Sequence, residues 1–307
     1  MNTSRRSLLR ALAATALPVF AGEPVVQRDV PYAGTVHPQQ TLDLFAPADA
    51  KKCPVVIWIH GGGWASGDKT DDMQTKPRAF TEKGYVFVSV NYRLLFLPAE
   101  HPGTAQTAVR VRDIGTDLAK AVRWLHENVA RFGGDPEFFF LAGHSAGAQL
   151  AALLCTDERY LKAEGLGLNL LKGCIPVDGD TYYPALQIDT ATPGLAAAWR
   201  RKFPDSENQR DLSSVMHVAR NKAIPPFLIL HVAEFPETGT KIQSQILEKS
   251  LHEAGVPVKV FPADGRTHIT LNTYLGLPDD PATRVVFEFI EEQIWRANYA
   301  SWAPPGP

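Results

Sequence analysis

The sequence predicts a single doubly wound α/β domain, in which a mostly parallel sheet carries helices on both faces. After about residue 50, apolar β-rich runs alternate with helical patterns, which is typical of this fold class. The β-rich runs are almost continuously hydrophobic, as expected for strands buried on both faces. The chain of 307 residues is long enough for one large domain of this kind.

Six runs predict the strands of the sheet: Val55–His60, Tyr85–Asn91, Phe138–Ala142, Gly173–Val177, Phe227–Val232 and Val258–Pro262. Helical patterns lie between them, at about 72–83, 106–131, 145–155, 240–254 and 281–297. Two earlier segments, about 25–32 and 40–46, alternate like an antiparallel pair at a sheet edge. The stretch of about 180–224 lacks clear sheet character and predicts a small insertion above the sheet.

Composition excludes several classes of protein. Hydrophobic residues make up 45% and charged residues 21%, which argues against a disordered chain. Lys and Arg number 31 against 33 Asp and Glu, so the sequence offers no basic footprint for nucleic acid. No apolar run reaches the roughly 18–20 residues that a membrane span needs. The expected partner is therefore a small molecule, with no nucleic acid and no membrane span.

The first 21 residues predict an export signal. Met1–Ala21 has a basic start, an apolar stretch and a small residue at its end, with three arginines and no acid. The run Ser4–Arg10 resembles a bacterial twin-arginine signal, and a general secretory signal or an attached amphipathic helix are the alternatives. We therefore expect one domain over residues 22–307 and a location in the bacterial periplasm.

The three cysteines leave two interpretations open. Cys155 and Cys174 are expected to flank the central sheet, so they are the more plausible disulfide pair in an exported protein. Alternatively, Cys53 and these two are all buried thiols. Their spacing fits no metal motif, and we expect no metal.

The segment Phe138–Gly147 predicts the nucleophile. It reads as a strand followed by Gly-His-Ser-Ala-Gly and then at once by a helix pattern. A strand that turns directly into a helix forces the central residue, Ser145, into a strained backbone state, while the flanking glycines allow close approach of neighbouring chains. The serine oxygen then stands exposed at a helix N-terminus, whose dipole favours a developing anion.

The run His60–Trp64, His-Gly-Gly-Gly-Trp, predicts the oxyanion hole. It follows a strand directly, and glycines let backbone N–H groups face a pocket without obstruction. We assign the N–H groups of Gly62 and Gly63, together with that of Ala146 after the nucleophile. Removing one such donor typically costs about 2.7–4 kcal/mol of transition-state stabilisation. His60 itself is expected to tie the loop down.

These two motifs, with Asn91-Tyr92-Arg93 between them, resemble the α/β-hydrolase superfamily. Within it the chain is most similar to the carboxylesterase, feruloyl-esterase-like and kynurenine-formamidase-like groups, over about residues 35–297. The resemblance implies a Ser-acid-His triad in that chain order, with no metal and no organic cofactor. Asn91-Tyr92-Arg93 is expected to brace the oxyanion loop.

His268 is the expected base, because it alone among the histidines after Ser145 lies in a loop after the last strand. Its imidazole can take and return a proton near neutrality. The acid is expected after the strand Phe227–Val232. Many relatives carry aspartate there in a His-Gly-x-x-Asp pattern, but Phe235 stands at that position. The formamidase-like pattern, acid-x-Pro-Glu, places the acid at Glu234.

Four other acids stay open as alternatives or have simpler roles. Glu237, Asp178 and Asp180 are candidates for the triad, whereas Asp264 is expected in a turn. Five aromatic residues could line a substrate pocket or could simply pack: Trp64, Tyr182, Tyr183, Trp199 and Phe203.

The sequence thus predicts a serine hydrolase that cleaves carboxylic esters through an acyl-enzyme, with Ser145, His268 and Glu234 as its triad. The alternatives are a formamidase that uses the same triad on an activated amide, and a non-catalytic binding protein that keeps the fold.

Overall fold

One eight-stranded sheet organises the computed structural model, which describes residues 22–299 apart from 98, 100, 102, 104, 105 and 234–238. The strands are β1 (Val25–Pro31), β2 (Thr41–Ala46), β3 (Cys53–Ile59), β4 (Val86–Val90), β5 (Gly134–His144), β6 (Leu171–Val177), β7 (Phe227–Val232) and β8 (Val258–Ala263). Their order in the sheet is β1-β2-β4-β3-β5-β6-β7-β8. β1 and β2 pair antiparallel with each other, and β2 pairs antiparallel with β4, while all later pairs are parallel. The predicted fold class and the antiparallel edge pair are confirmed.

Eleven α-helices lie in the described part of the chain. They are α1 (Lys76–Glu82), α2 (Val111–Asn128), α3 (Ala146–Thr156), α4 (Glu158–Ala163), α5 (Pro184–Thr190), α6 (Pro193–Lys202), α7 (Ser206–Asp211), α8 (Ser214–His217), α9 (Thr240–Glu253), α10 (His268–Thr273) and α11 (Pro281–Tyr299). The prediction began the helix of about 106–131 too early, because Val109 instead pairs with Phe96 in an isolated β-bridge. The prediction also missed α10, the short helix that begins at His268.

Both faces of the sheet are covered, as the hydrophobic strands predict. Alternate residues of β3 enter two separate cores: Val55, Ile57 and Ile59 pack in one, Val56 and Trp58 in the other. The first core includes residues of α2, α3 and α9, and the second includes residues of α1 and α11. Every residue of α3 is buried, so the helix that follows Ser145 lies fully inside the protein. The carboxyl ends of the central strands are therefore held rigidly from both sides.

The predicted insertion contains four short helices, α5 to α8, between β6 and β7. Gln243 of α9 accepts hydrogen bonds from the backbone N–H groups of Tyr182 and Tyr183, each at 2.8 Å. Gln149 of α3 donates to the carbonyl of Leu212 at 2.9 Å. These two buried glutamines join the start of the insertion and the turn between α7 and α8 to helices that pack on the sheet.

The three cysteines are free and buried, so the second of the two interpretations holds. Cys155 and Cys174 do lie side by side, close enough for their thiols to hydrogen-bond. The predicted export signal, residues 1–21, lies outside the described residues. Within the described ranges, no helix combines the length and the apolar character that crossing a bilayer requires.

Gly147 lies where α3 packs closely against the end of β3, so its substitution tests this packing. A Cβ atom there would lie 2.1 Å from the carbonyl oxygen of Ile59, a contact with rigid backbone. Gly147→Ala is therefore expected to reduce the free energy of unfolding by about 3 kcal/mol, measured by urea denaturation. Gly194→Ala is the matched control: a Cβ there meets nothing within 4 Å, and we expect no loss of stability. Equal stability of the two variants would contradict the packing described here.

Candidate active site

The nucleophile position is built by the sharp turn from β5 into α3. Ser145 has φ 56° and ψ −120°, a backbone state that side chains rarely adopt. Its N–H donates to the carbonyl of Val177 at 3.0 Å, which ties the turn to β6. The glycines on either side are required by space, since a Cβ at Gly143 would lie 2.5 Å from the carbonyl oxygen of Gly147. The serine thus lies at the N-terminus of a buried helix, as the sequence predicts, but Ser145 is itself buried, whereas the sequence pattern predicts that it stands exposed.

The glycine loop after β3 lies against this serine. A Cβ at Gly61 would lie 3.1 Å from Cβ of Ser145, so the two backbones are in direct contact. Gly62 and Gly63 have φ of 102° and 59°, in the left-handed region that favours glycine. The carbonyl of Gly62 accepts from the N–H of Ser66 at 3.0 Å, which closes the loop on itself. In the part of the chain that the structure describes, the N–H groups of Gly62, Gly63 and Ala146 donate to no other protein group.

Two buried side chains hold the glycine loop in place. The Tyr92 hydroxyl donates to the carbonyl of His60 at 3.0 Å, and the two rings stack with centroids 4.2 Å apart. The indole N–H of Trp64 donates to Gln149 on α3 at 3.1 Å. The predicted brace at Tyr92 is thereby confirmed, whereas His60 contributes its carbonyl and its stacked ring, and its Nδ1 bonds to the carbonyl of the adjacent Gly61. Gln149 is a brace that the sequence did not reveal, since it lies 85 positions from its partner.

The aromatic residues near the loop mainly pack with one another. Trp64 and Phe203 are completely buried and meet edge to face, with centroids 5.5 Å apart. Trp199 is also buried and lies at 5.8 Å from the Trp64 ring. Tyr182 is fully buried as well. Of the two interpretations, packing therefore describes these four residues better than a pocket lining.

The expected base, His268, is the first residue of α10. Thr267 caps this helix by accepting from the N–H of Thr270 at 3.1 Å. The carbonyl of His268 accepts from Nε2 of His144 at 2.8 Å, which assigns the proton of His144 to that nitrogen. Burial, with the charge of His268, lowers the pKa of His144 to about 3. His144 is therefore a neutral donor that holds the base beside the nucleophile.

The carboxylate that contacts the base is that of Asp178, which follows β6. Its Oδ2 lies 2.6 Å from Nδ1 of His268, and its Oδ1 accepts from the N–H of Val232 at 3.0 Å. Asp178 is fully buried and has φ 49°. Burial alone would raise the pKa of Asp178, but the hydrogen bonds from His268 and Val232 outweigh it and lower the pKa.

The contact between Asp178 and His268 affects the prediction that Glu234 is the acid of the triad. Glu234 and Glu237 lie outside the described residues, and Nδ1 of His268 is already engaged by Asp178, one of the alternatives. Because β6 and β7 are neighbours, an acid that follows either strand can reach the same imidazole. The sequence did point to Asp178, because Asp178 and Asp180 directly follow a buried strand. Glu234 is nevertheless the acid that the sequence favours, because it matches a formamidase-like pattern.

Asp178 also fixes the proton on the base. A carboxylate only accepts, so Nδ1 of His268 donates and Nε2 is left to accept a proton. Burial alone would lower the pKa of His268, but the hydrogen bond to Asp178 and the charges of Asp180 and Asp178 raise it above its ordinary value. The imidazole is one-quarter exposed, so it is accessible to solvent.

A second carboxylate contacts Ser145, the expected nucleophile. The Ser145 hydroxyl donates to Oδ2 of Asp180 at 3.0 Å. Asp180 is also near enough to His268 for its charge to raise the pKa of the imidazole. Among the described residues, no three His, Cys, Asp or Glu side chains are placed to share a metal ion.

The far end of α10 is clasped by Lys76, a completely buried lysine at the start of α1. Its Nζ donates to the carbonyls of Asn272 and Asp72 at 2.9 and 3.0 Å, and it lies 4.9 Å from the centre of the Trp58 ring. Thr75 adds a hydrogen bond to the carbonyl of Leu275. A positive group at a helix C-terminus is stabilising, so this clasp holds the helix that carries the base.

The buried Lys76 makes the free energy of unfolding of the protein depend on pH. Burial lowers the pKa of Lys76 from 10.5 to about 8. Between these two pH values the unfolded chain binds a proton that the folded chain has lost, so the contribution of Lys76 to stability rises with pH. We expect wild type to gain about 2 kcal/mol relative to Lys76→Met between about pH 7 and about pH 10 in chemical unfolding. A difference that does not change with pH would contradict a desolvated lysine here.

Comparison with known proteins agrees with this geometry. A family model described as BD-FAE matches residues 42–169, which include the glycine loop and the serine turn. Esterase LipQ of Mycobacterium tuberculosis is 28% identical over 240 residues, which cover 74% of this chain and 53% of that protein. Carboxylesterase NlhH of the same species is 33% identical over 150 residues, covering 48% of this chain and 40% of that protein. The chain spans about half the length of the curated relatives it matches.

Solved structures show the same fold. An inhibited esterase B from Lactobacillus rhamnosis aligns with a TM-score of 0.71 at 24% identity, covering 96% of each chain. The esterase Est2 of Thermogutta terrifontis aligns with a TM-score of 0.64 at 21% identity, covering 93% of this chain and 95% of that one. The chain therefore has the α/β-hydrolase fold and is similar to carboxylesterases.

Proposed function

We propose that the protein is a serine carboxylesterase whose triad is Ser145, His268 and Asp178. The observation that carries the proposal is the 2.6 Å contact between Asp178 and His268, beside a strained serine and beneath a loop of unpaired N–H groups. These are the parts that acyl transfer needs: a nucleophile, an oriented base and donors for an oxyanion. The similarity to several esterases supports an ester as the substrate.

The proposal replaces Glu234 with Asp178 as the acid. Asp178 is buried, engages Nδ1 and is itself held by a backbone N–H, as an orienting carboxylate must be. If a second acid occupied that role, Asp178 would remain a buried charge that had lost its main partner. Such a charge costs several kcal/mol, about 3–5 in measured cases, so one carboxylate on the imidazole is the stable arrangement.

The reaction begins when the ester carbonyl enters between Ser145 and the glycine loop. The serine hydroxyl turns from Asp180 toward Nε2 of His268, which takes the proton as Oγ attacks the carbonyl carbon. Negative charge develops on the carbonyl oxygen, and the N–H groups of Gly62, Gly63 and Ala146 stabilise it. His268 then returns the proton to the leaving alcohol, and water cleaves the acyl-enzyme by the same steps.

An amide substrate is the second candidate, but the structure weakens its main support. The formamidase-like interpretation rested on Glu234 as the acid, and the carboxylate on His268 belongs to Asp178 instead. We also propose that residues 1–21 direct export to the periplasm, which fits an esterase better than a formamidase of amino-acid breakdown. A parallel assay of p-nitrophenyl acetate and N-formylkynurenine separates the two activities.

The acid is tested by comparing two isosteric variants. Asp178→Asn keeps the shape of the side chain but no longer holds His268 in the tautomer with the proton on Nδ1. We expect kcat for p-nitrophenyl butyrate to fall by about 10⁴-fold, as in other enzymes with this triad. Glu234→Gln is expected to stay within about twofold of wild type, well below the effect of losing a triad member.

Ser145→Ala is the reference for these rates, and labelling of Ser145 by a fluorophosphonate is the independent measurement. The proposal requires that Ser145→Ala abolish both turnover and labelling. A large loss in Glu234→Gln with an active Asp178→Asn would return the acid to Glu234. Turnover that survives Ser145→Ala would remove the proposed function altogether.

A further inference from the structure

The carboxylate of Asp180 contacts Ser145, although Asp180 has no role in the proposed triad. It stands two residues after Asp178 in the turn that follows β6, with Gly179 between them. The Tyr182 ring packs closely on this turn, because a Cβ at Gly179 would lie 2.3 Å from the Tyr182 hydroxyl. One carboxylate of the turn thereby contacts the back of the imidazole, while the other accepts the hydroxyl proton of Ser145 at 3.0 Å.

The topology places Asp180 away from the oxyanion loop. β5 carries Ser145, and its neighbours are β3 on one side and β6 on the other. The glycine loop comes from β3 and Asp180 from β6, so the two lie on opposite sides of the nucleophile. Asp180 therefore reaches Ser145 from the strand opposite to the one that carries the glycine loop.

The groups around Asp180 favour proton exchange. Burial raises the pKa of Asp180, while the charges of His268 and Lys202 and the hydrogen bond from Ser145 act against that rise. The charge of Asp178 raises it further. A carboxylate whose pKa is raised is a stronger base than a carboxylate with the ordinary pKa.

We propose that Asp180 is a second catalytic base for Ser145, which can take the hydroxyl proton directly when His268 does not. This inference rests on the proposed function, since it needs Ser145 to be the nucleophile. The Ser145–Asp180 pair then forms a two-residue route that runs parallel to the triad.

The parallel route is chemically balanced. The proton of the serine hydroxyl moves to Oδ2 of Asp180 as the bond between Oγ and the carbonyl carbon forms. When the tetrahedral intermediate collapses, the bond to the leaving alkoxide breaks, and Asp180 returns the proton to that oxygen. In hydrolysis of the acyl-enzyme, a water gives its proton to the same carboxylate as its oxygen bonds to the carbonyl carbon. The bond between that carbon and Oγ then breaks, and Asp180 returns the proton to Oγ. A positioned general base commonly contributes about 10²–10⁴-fold to a rate.

The experiment removes His268 so that only the second route remains. The turnover of p-nitrophenyl butyrate is measured for His268→Ala, for the double variant with Asp180→Asn, and for Ser145→Ala as the floor. We expect His268→Ala to retain turnover above the floor, and the double variant to lose at least about tenfold more. The double variant with Asp189→Asn, which removes an exposed carboxylate of α5 instead, is the matched control and should equal His268→Ala.

Added imidazole distinguishes a lost base from a damaged site. It should restore turnover equally in His268→Ala and in the double variant with Asp180→Asn, because both keep Ser145 and the oxyanion loop. Three results would each overturn the inference. The first is that His268→Ala and the double variant with Asp180→Asn have equal rates without imidazole. The second is that the rate of His268→Ala equals that of Ser145→Ala, and the third is that imidazole restores turnover in His268→Ala alone. If Ser145→Ala stays active, it is the proposed function that fails, and the two failures are thus distinguishable.

Discussion

The site depends on one interaction, the hydrogen bond between the buried carboxylate of Asp178 and Nδ1 of His268. Asp178 is withdrawn from water, so its charge is stable only where donors surround it, and His268 and the Val232 N–H supply them. The same bond selects the tautomer of His268 and leaves Nε2 as an acceptor. Without it, the imidazole would lose both its orientation and the charge that stabilises its protonated form.

The sheet brings the parts together because four strand ends meet at one edge. The glycine loop follows β3, Ser145 follows β5, Asp178 follows β6 and His268 follows β8. Ser145, Asp178 and Trp64, which immediately follows the oxyanion glycines, have positive φ, a conformation that persists only where the surrounding structure enforces it. The fully buried α3 and the hydrogen bond from Ser145 to Val177 provide that support at the serine, and the hydrogen bond from Asp178 N–H to Leu230 provides it at the aspartate.

Local patterns in the sequence were sufficient for the fold, for Ser145 and for the glycine loop, because each motif lies within a few residues of the strand that presents it. They did not single out Asp178 as a carboxylate that contacts His268, since the two residues lie 90 positions apart and no local motif joins them. From the sequence, the acid is expected after β7, the strand that carries it in many relatives, and Glu234 is chosen because Phe235 stands at the usual aspartate position. The contacts of Lys76 with Asn272 and of Gln149 with Trp64 likewise join distant segments. The capping pair Thr267 and Thr270 was a readable sign that His268 begins a helix.

The most direct test of the Asp178–His268 bond is nitrogen NMR of the protein with ¹⁵N-labelled histidine. The spectrum is recorded in Ser145→Ala, so that the ring is observed without turnover, and at a pH well above the raised pKa of His268, where the ring is neutral. We expect the His268 ring to carry its proton on Nδ1, with Nε2 unprotonated, and to lose this preference when Asp178 is also replaced by Asn. A His268 ring protonated only on Nε2, or one whose protonation is unchanged by the loss of Asp178, would contradict the account.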